Sequence, residues 1–164
     1  MLTPYLPYPP SSGGQVRSYN LIKNLSMKHE ITLFSLIKTD QEKQYIAELE
    51  KYCKKVKVFK RPEKPWTMKN ILRTGFGFYP FLVIRNLSDE EKRAVADELK
   101  NQKFDLIHAE NFYAMPHIPQ TSVPILLTEQ TSFYQVYKRY VESLPLSLFW
   151  LKPFLMIDVL KLKY

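Results

Sequence analysis

Residues 11–17, Ser-Ser-Gly-Gly-Gln-Val-Arg, gather several of the side chains best suited to chemistry in this 164-residue chain. A glycine pair where an extended stretch gives way to a helix can take positive φ and let a ligand approach the backbone closely. The first N–H groups of the following helix have no partner within it and favour an anion. The segment reads as a loop facing a phosphorylated ligand, or equally as a tight turn that uses glycine, because a glycine loop alone does not decide. Arg17, one turn into the helix, can reach a phosphate or an acceptor, or can form a surface ion pair. Two more polar groups follow apolar runs: His108-Ala109-Glu110-Asn111, and Thr128-Glu129-Gln130-Thr131. His108 reads as a satisfied strand-end residue. Glu129 and Gln130 are stronger site candidates, because two such polar residues rarely end a buried strand together without use. No zinc-ligand spacing is present, so no metal site is expected.

The elements that must position these residues follow from periodicity. Met1–Thr3 is the tail of a strand, and the prolines from Pro4 to Pro10 exclude a helix before Ser11. Val16, Tyr19, Ile22 and Leu25 mark one face of a helix from about Gln15 to Met27. Glu30 to Ile37 is apolar on both faces, as a strand covered on both sides would be. A second helix starts at Thr39-Asp40, with Tyr45, Leu49 and Tyr52 on one face. Val56, Val58 and Phe59 alternate with lysines, which predicts an edge strand. Residues 61–87 are broken by Pro62, Pro65, Trp66, Gly75, Gly77 and Pro80, with short helical pieces expected near 67–74 and 80–86. Phe76, Phe78, Tyr79 and Phe81 there read as a binding surface or as a flap packed on the core, and packing is the expectation, because exposed aromatic clusters cost solubility. Ser88 and Glu91 form a capping box for a helix to about Gln102. Buried strands are expected at 104–109 and 123–128, and a helix at 133–142.

This alternation predicts an α/β, Rossmann-like, doubly wound parallel sheet in three layers, as a single domain. In such sheets ligands bind outside the C-terminal strand ends, where strand order reverses. Residues 11–17, 108–111 and 128–131 are expected to meet on that rim.

Hydrophobic content of 45% and charged content of 24% fit a globular chain. The formal net charge is +8, with a cluster at Lys51, Lys54, Lys55, Lys57, Lys60, Arg61 and Lys64. No nucleic-acid reading motif accompanies it, so it reads as a solvated edge and no nucleic-acid partner is expected. Cys53, alone of its type, excludes an internal disulfide and suits a reducing compartment. The N-terminus lacks a basic-then-apolar leader, and cytoplasmic location is expected.

Four stretches resemble the N-terminal half of a family 4, GT-B glycosyltransferase: residues 7–17, 29–34, 104–110 and 123–130. The resemblance keeps its order over most of the chain. It implies a retaining enzyme that moves a sugar from a nucleotide sugar to a glycan or lipid-linked acceptor, without a metal ion on an Asp-x-Asp motif and without a cofactor. It further implies that residues 1–164 form the acceptor-side domain. Gly13 and Gly14 would face the donor diphosphate. Gln15, Arg17, His108, Glu110, Asn111, Glu129, Gln130 and Thr131 would serve the acceptor. Gln130 stands where the family often has histidine and cannot carry a proton at neutral pH, so no catalytic residue is assigned. The family's C-terminal nucleotide-sugar domain has no counterpart here, and the chain alone is expected to be inactive. A non-catalytic nucleotide- or phosphate-binding module is the alternative.

Residues 144–164 are the most apolar stretch. Lys152-Pro153 and Asp158 interrupt it, which excludes a spanning helix. It reads as a helix packed on the sheet or on a second domain, or as an interfacial helix at the inner membrane face, with Phe149, Trp150 and Phe154. Apolar surface left bare by a missing domain would make the chain self-associate.

Overall fold

The computed structural model describes residues 1–61, 67–129 and 132–162. Expectations for Pro62, Lys64, Pro65, Trp66, Gln130 and Thr131, and for the Trp150 side chain, lie outside the described residues. Five parallel strands form one sheet: β1 (Leu2–Thr3), β2 (Thr32–Ile37), β3 (Lys55–Lys60), β4 (Ile107–Glu110) and β5 (Ile125–Thr128). Their order is β3-β2-β1-β4-β5, so the chain winds outward one way from β1 and resumes on its other side at β4. The fold is Rossmann-like α/β, and the switch point lies between β1 and β4.

Period-two alternation sorts the strand side chains onto two faces. Leu33 and Ile37 face helix α1 (Gly13–Leu25), where they bury Leu6, Ile22, Leu49 and Cys53 with them. Leu2, Phe34, Leu36, Ile107 and Ala109 pack on the opposite face with Val95 of α5 (Asp89–Asn101). Each fully buried aliphatic side chain contributes about 1.5–3 kcal/mol. Burial also pushes the Cys53 thiol up to about 11, which fits a packing role.

Several boundaries differ from the sequence reading. Helix α1 begins at Gly13, because Ser12 caps it, and Val16 is exposed. The helix expected from Thr39 is a 3₁₀ turn (Asp40–Tyr45) followed by the single turn α2 (Ile46–Leu49). Strand β3 is an edge, as its alternating lysines predict. Strand β5 is also an edge and is not buried: Ile125, Leu126 and Leu127 are 40%, 48% and 43% exposed. An apolar sequence signals preference for burial; strand order decides whether neighbours exist to supply it.

The segment between β3 and β4 contains α3 (Met68–Phe76) and α4 (Phe81–Ile84) before α5. Phe81 and Val83 are buried, but Phe76 and Phe78 are 90% and 97% exposed, so the flap packs only in part. After α6 (Phe133–Glu142) and a 3₁₀ turn, α7 (Lys152–Lys161) docks on α6 through Val141, Leu155 and Val159. Asp158 Oδ1 accepts the Phe81 N–H at 2.8 Å, and the Lys161 ammonium donates to the Gly77 carbonyl at 2.7 Å. The tail therefore covers α3 and α4. No described helix is long and apolar enough to cross a membrane.

The capping box at Ser88 is half formed. Ser88 Oγ accepts the Glu91 N–H at 3.3 Å, but the Ser88 N–H donates to His117 Nε2 at 3.0 Å. His117 Nδ1 lies 3.2 Å from the Ala114 carbonyl, which fixes the Nδ1–H tautomer. Glu91, displaced from its usual role, is buried with Oε2 unpaired.

Candidate functional site

The N-terminus of α1 is built by side chains of the 11–17 segment itself. Ser12 Oγ accepts the Gln15 N–H at 3.4 Å and donates to Gln15 Oε1 at 3.0 Å. Ser11 Oγ donates to the same oxygen, and Gln15 Nε2 donates to the Leu6 carbonyl at 3.0 Å. Gln15 thus holds the preceding loop against the helix. Gly13 and Gly14 are the first two helical residues; no glycine among the described residues has positive φ. This corrects the expectation of a left-handed glycine turn: the cap makes those two residues start the helix. Their N–H groups precede the first intrahelical bond and have no acceptor among the described residues. A Cβ built on Gly13 meets nothing within 4 Å, so the backbone there is open to a ligand.

The side chain of Arg17 turns toward the sheet. One guanidinium nitrogen bonds both Glu110 oxygens, at 2.6 and 2.7 Å. Glu110 is fully buried, while the Arg17 side chain is 43% exposed. Alternation along β4 puts His108 on the same face as Glu110. His108 Nε2 lies 3.2 Å from Glu110 Oε1 and 2.8 Å from Thr128 Oγ1 on β5. The surface-pair and the site readings of Arg17 meet here: its charge is matched by a buried acid, and part of the guanidinium still faces solvent.

Asn111 ends β4 with φ 70° and ψ 151°, the one positive-φ residue other than glycine among the described residues. Such backbone costs about 1–3 kcal/mol and concentrates at functional sites. The Asn111 N–H donates to the Thr128 carbonyl at 2.9 Å, while its buried Oδ1 has no partner. Glu129 Oε2 accepts the Phe112 N–H at 3.2 Å, and burial raises the Glu129 carboxyl above its ordinary range. The structure thus brings Gln15, Arg17, His108, Glu110, Asn111 and Glu129 to the strand ends around the switch point. Gln130 and Thr131 lie outside the described residues.

A cavity of about 180 Å³ lies over the same C-terminal ends. Tyr5 enters it directly after β1, Arg61 directly after β3, and Arg85 and Asn86 after α4. Tyr113 and Phe133 complete it, with ring centroids 5.5 Å apart. Sequence reasoning missed this group, because its members come from five separated segments with no shared spacing. It also missed the Ser12–Gln15 cap, although Ser-x-x-Gln before a helix is a legible signal. A second cavity of about 30 Å³ sits at the opposite end of the strands, among Leu2, Phe34 and Val95, and has room for about one water.

Five members of the basic cluster are matched by acids. Lys55 and Lys57 both bond the buried Glu98, at 2.7 Å. Lys51 pairs with Glu48, Lys54 with Glu30 and Lys60 with Asp40. Comparison with family models, curated proteins and solved structures gives no significant match to this chain.

Proposed function

We propose that this chain is the N-terminal, acceptor-binding domain of a retaining glycosyltransferase that uses a nucleotide sugar and a glycan or lipid-linked acceptor, in the cytoplasm or at the inner membrane face. One observation carries the reading. The three polar segments meet at the switch point, where Arg17 bonds Glu110 and the Asn111 N–H bonds the Thr128 carbonyl.

The chemistry available there suits binding and positioning. The Gly13 and Gly14 N–H groups, at the positive end of α1, favour a diphosphate without needing a cation. The free edge of Arg17 adds charge-assisted donors. Asn111 and Glu129 offer acceptors for sugar hydroxyls. No pair of acids is set up for nucleophilic attack at a sugar carbon among these residues, so the transfer step belongs to a cleft completed by a second domain. No cofactor enters this scheme; the nucleotide sugar is a substrate.

The open N–H groups of Gly13 and Gly14 also favour the rival reading, a non-catalytic nucleotide- or phosphate-binding module. Titration with nucleotide sugars separates the two. The transferase reading expects weak nucleotide binding by the chain alone and transfer once a donor-binding domain is supplied. Tight nucleotide binding by the chain alone, abolished by Gly14→Val and unaccompanied by transfer with that domain present, would establish the rival.

A further inference from the structure

Two cations line the cavity over the strand ends, and neither is hydrogen-bonded to a carboxylate among the described residues. Arg61 donates from its guanidinium to Asn86 Oδ1 at 2.7 Å and has no carboxylate partner among the described residues. Arg85 lines the same space and likewise forms no ion pair there. The neighbouring acids are engaged elsewhere. Glu42 Oε1 accepts the Lys38 and Thr39 N–H groups, and Glu129 accepts that of Phe112. Every other described lysine of the basic cluster has an acid. Burial, and then the like charge of Arg85, lower the Arg61 guanidinium below its usual range, with Glu42 opposing them in part. An anion between the two guanidiniums would offset that repulsion.

We infer that this cavity binds a phosphate monoester on a six-membered ring, the phosphate between Arg61 and Arg85 and the ring against Tyr5, Tyr113 and Phe133. Charge selects phosphate over carboxylate. A phosphate monoester carries about −1.5 to −2 at neutral pH, which matches two guanidiniums; a carboxylate matches one. The lining selects a ring beside the phosphate: Tyr5, Tyr113 and Phe133 wall one side of the cavity, which is about 180 Å³. Aromatic walls suit the apolar face of a sugar or cyclitol, with the Tyr113 hydroxyl available as a hydrogen-bond partner. The inference deepens the acceptor reading and rests on it for calling the ligand an acceptor; the binding itself does not.

Glucose 6-phosphate, glucuronate, glucose and inorganic phosphate serve as probes in calorimetric titrations of the chain. Glucose 6-phosphate should bind at least tenfold more tightly than glucuronate, and glucose should not bind measurably. Arg85→Gln, which breaks no ion pair of the fold, should weaken glucose 6-phosphate at least tenfold, and Arg61→Gln likewise. Lys28→Gln, an exposed cation that does not line the cavity, should leave it within twofold. Equal affinity for glucuronate, indifference to Arg85→Gln, an equal loss through Lys28→Gln, or no saturable binding would each overturn the inference. Binding that obeys these rules without any sugar transfer by the completed protein would sink the transferase reading and leave the cavity assignment standing. Transfer to an uncharged acceptor with no phosphate binding would do the reverse.

Discussion

Substituting Glu91 by Gln should remove a pH-dependent weakness from the core. Glu91 is 2% exposed, its Oε2 has no hydrogen-bond partner, and the backbone N–H a capping acid would accept is taken by His117. Burial therefore pushes its carboxyl up to about 8 from an ordinary 4.5. Between those values the folded chain keeps the proton and the unfolded chain releases it. Rising pH thus favours unfolding throughout that window, by about 1.4 kcal/mol per pH unit. The contribution is whole below 4.5 and lost by about 8. Other buried groups titrate in this range with the opposite sign. His117, held neutral 3.5 Å from Glu91, and the Met1 amine, lowered to about 6, both gain stability as pH rises. The test is therefore the difference between Glu91→Gln and the parent. Urea unfolding followed by circular dichroism at about pH 5 and about pH 7.5 should show the variant gaining roughly 3 kcal/mol over the parent across that interval. For a chain of this size that is a melting-temperature gain of roughly 6–12 °C. A difference that stays constant with pH would refute the reasoning, because it would mean Glu91 is ionised in the folded state.

Arg17→Gln leaves the Glu110 carboxylate buried beside His108 without its cation. Because Arg17 is half exposed, a loss of about 2–3 kcal/mol is expected in denaturant unfolding, below the 3–5 of a fully buried pair, and Arg17→Gln with Glu110→Gln should recover part of it; an unchanged midpoint would contradict the pairing. Asn111→Gly relieves the positive φ and should hold or raise the melting temperature, whereas Asn111→Val should lower it by several degrees; equal effects would show that no strain resides there. Leu33→Ala, at a fully buried β2 position, should cost about 2–5 kcal/mol by the same unfolding measurement. The bare faces carrying Leu72, Phe76 and Phe78, and Ile125 to Leu127, should make the isolated chain associate as concentration rises; a monomer at every concentration in sedimentation velocity would contradict this.

The strand and helix alternation was legible because each element carries its own period. Ile31 and Leu33 two positions apart, Ile22 and Leu25 three apart, and the Ser88 cap are local patterns that local sterics create. Legible too was the lining-up of three polar segments, since it follows from parallel strands and the rule that ligands sit at their C-terminal ends. What the sequence could not determine is where distant residues meet. Gly13 and Gly14 begin a helix instead of a left-handed turn because Ser12 and Gln15 close a cap whose geometry depends on the Leu6 carbonyl. Strand β5, as apolar as a central strand, became an edge because only β4 pairs with it among the described residues. The bond of Arg17 to Glu110 joins residues 93 positions apart, and Arg61 meets Asn86 across 25. Charge pairing and cavity shape are sums over contacts between separated segments, and only the folded chain performs that sum.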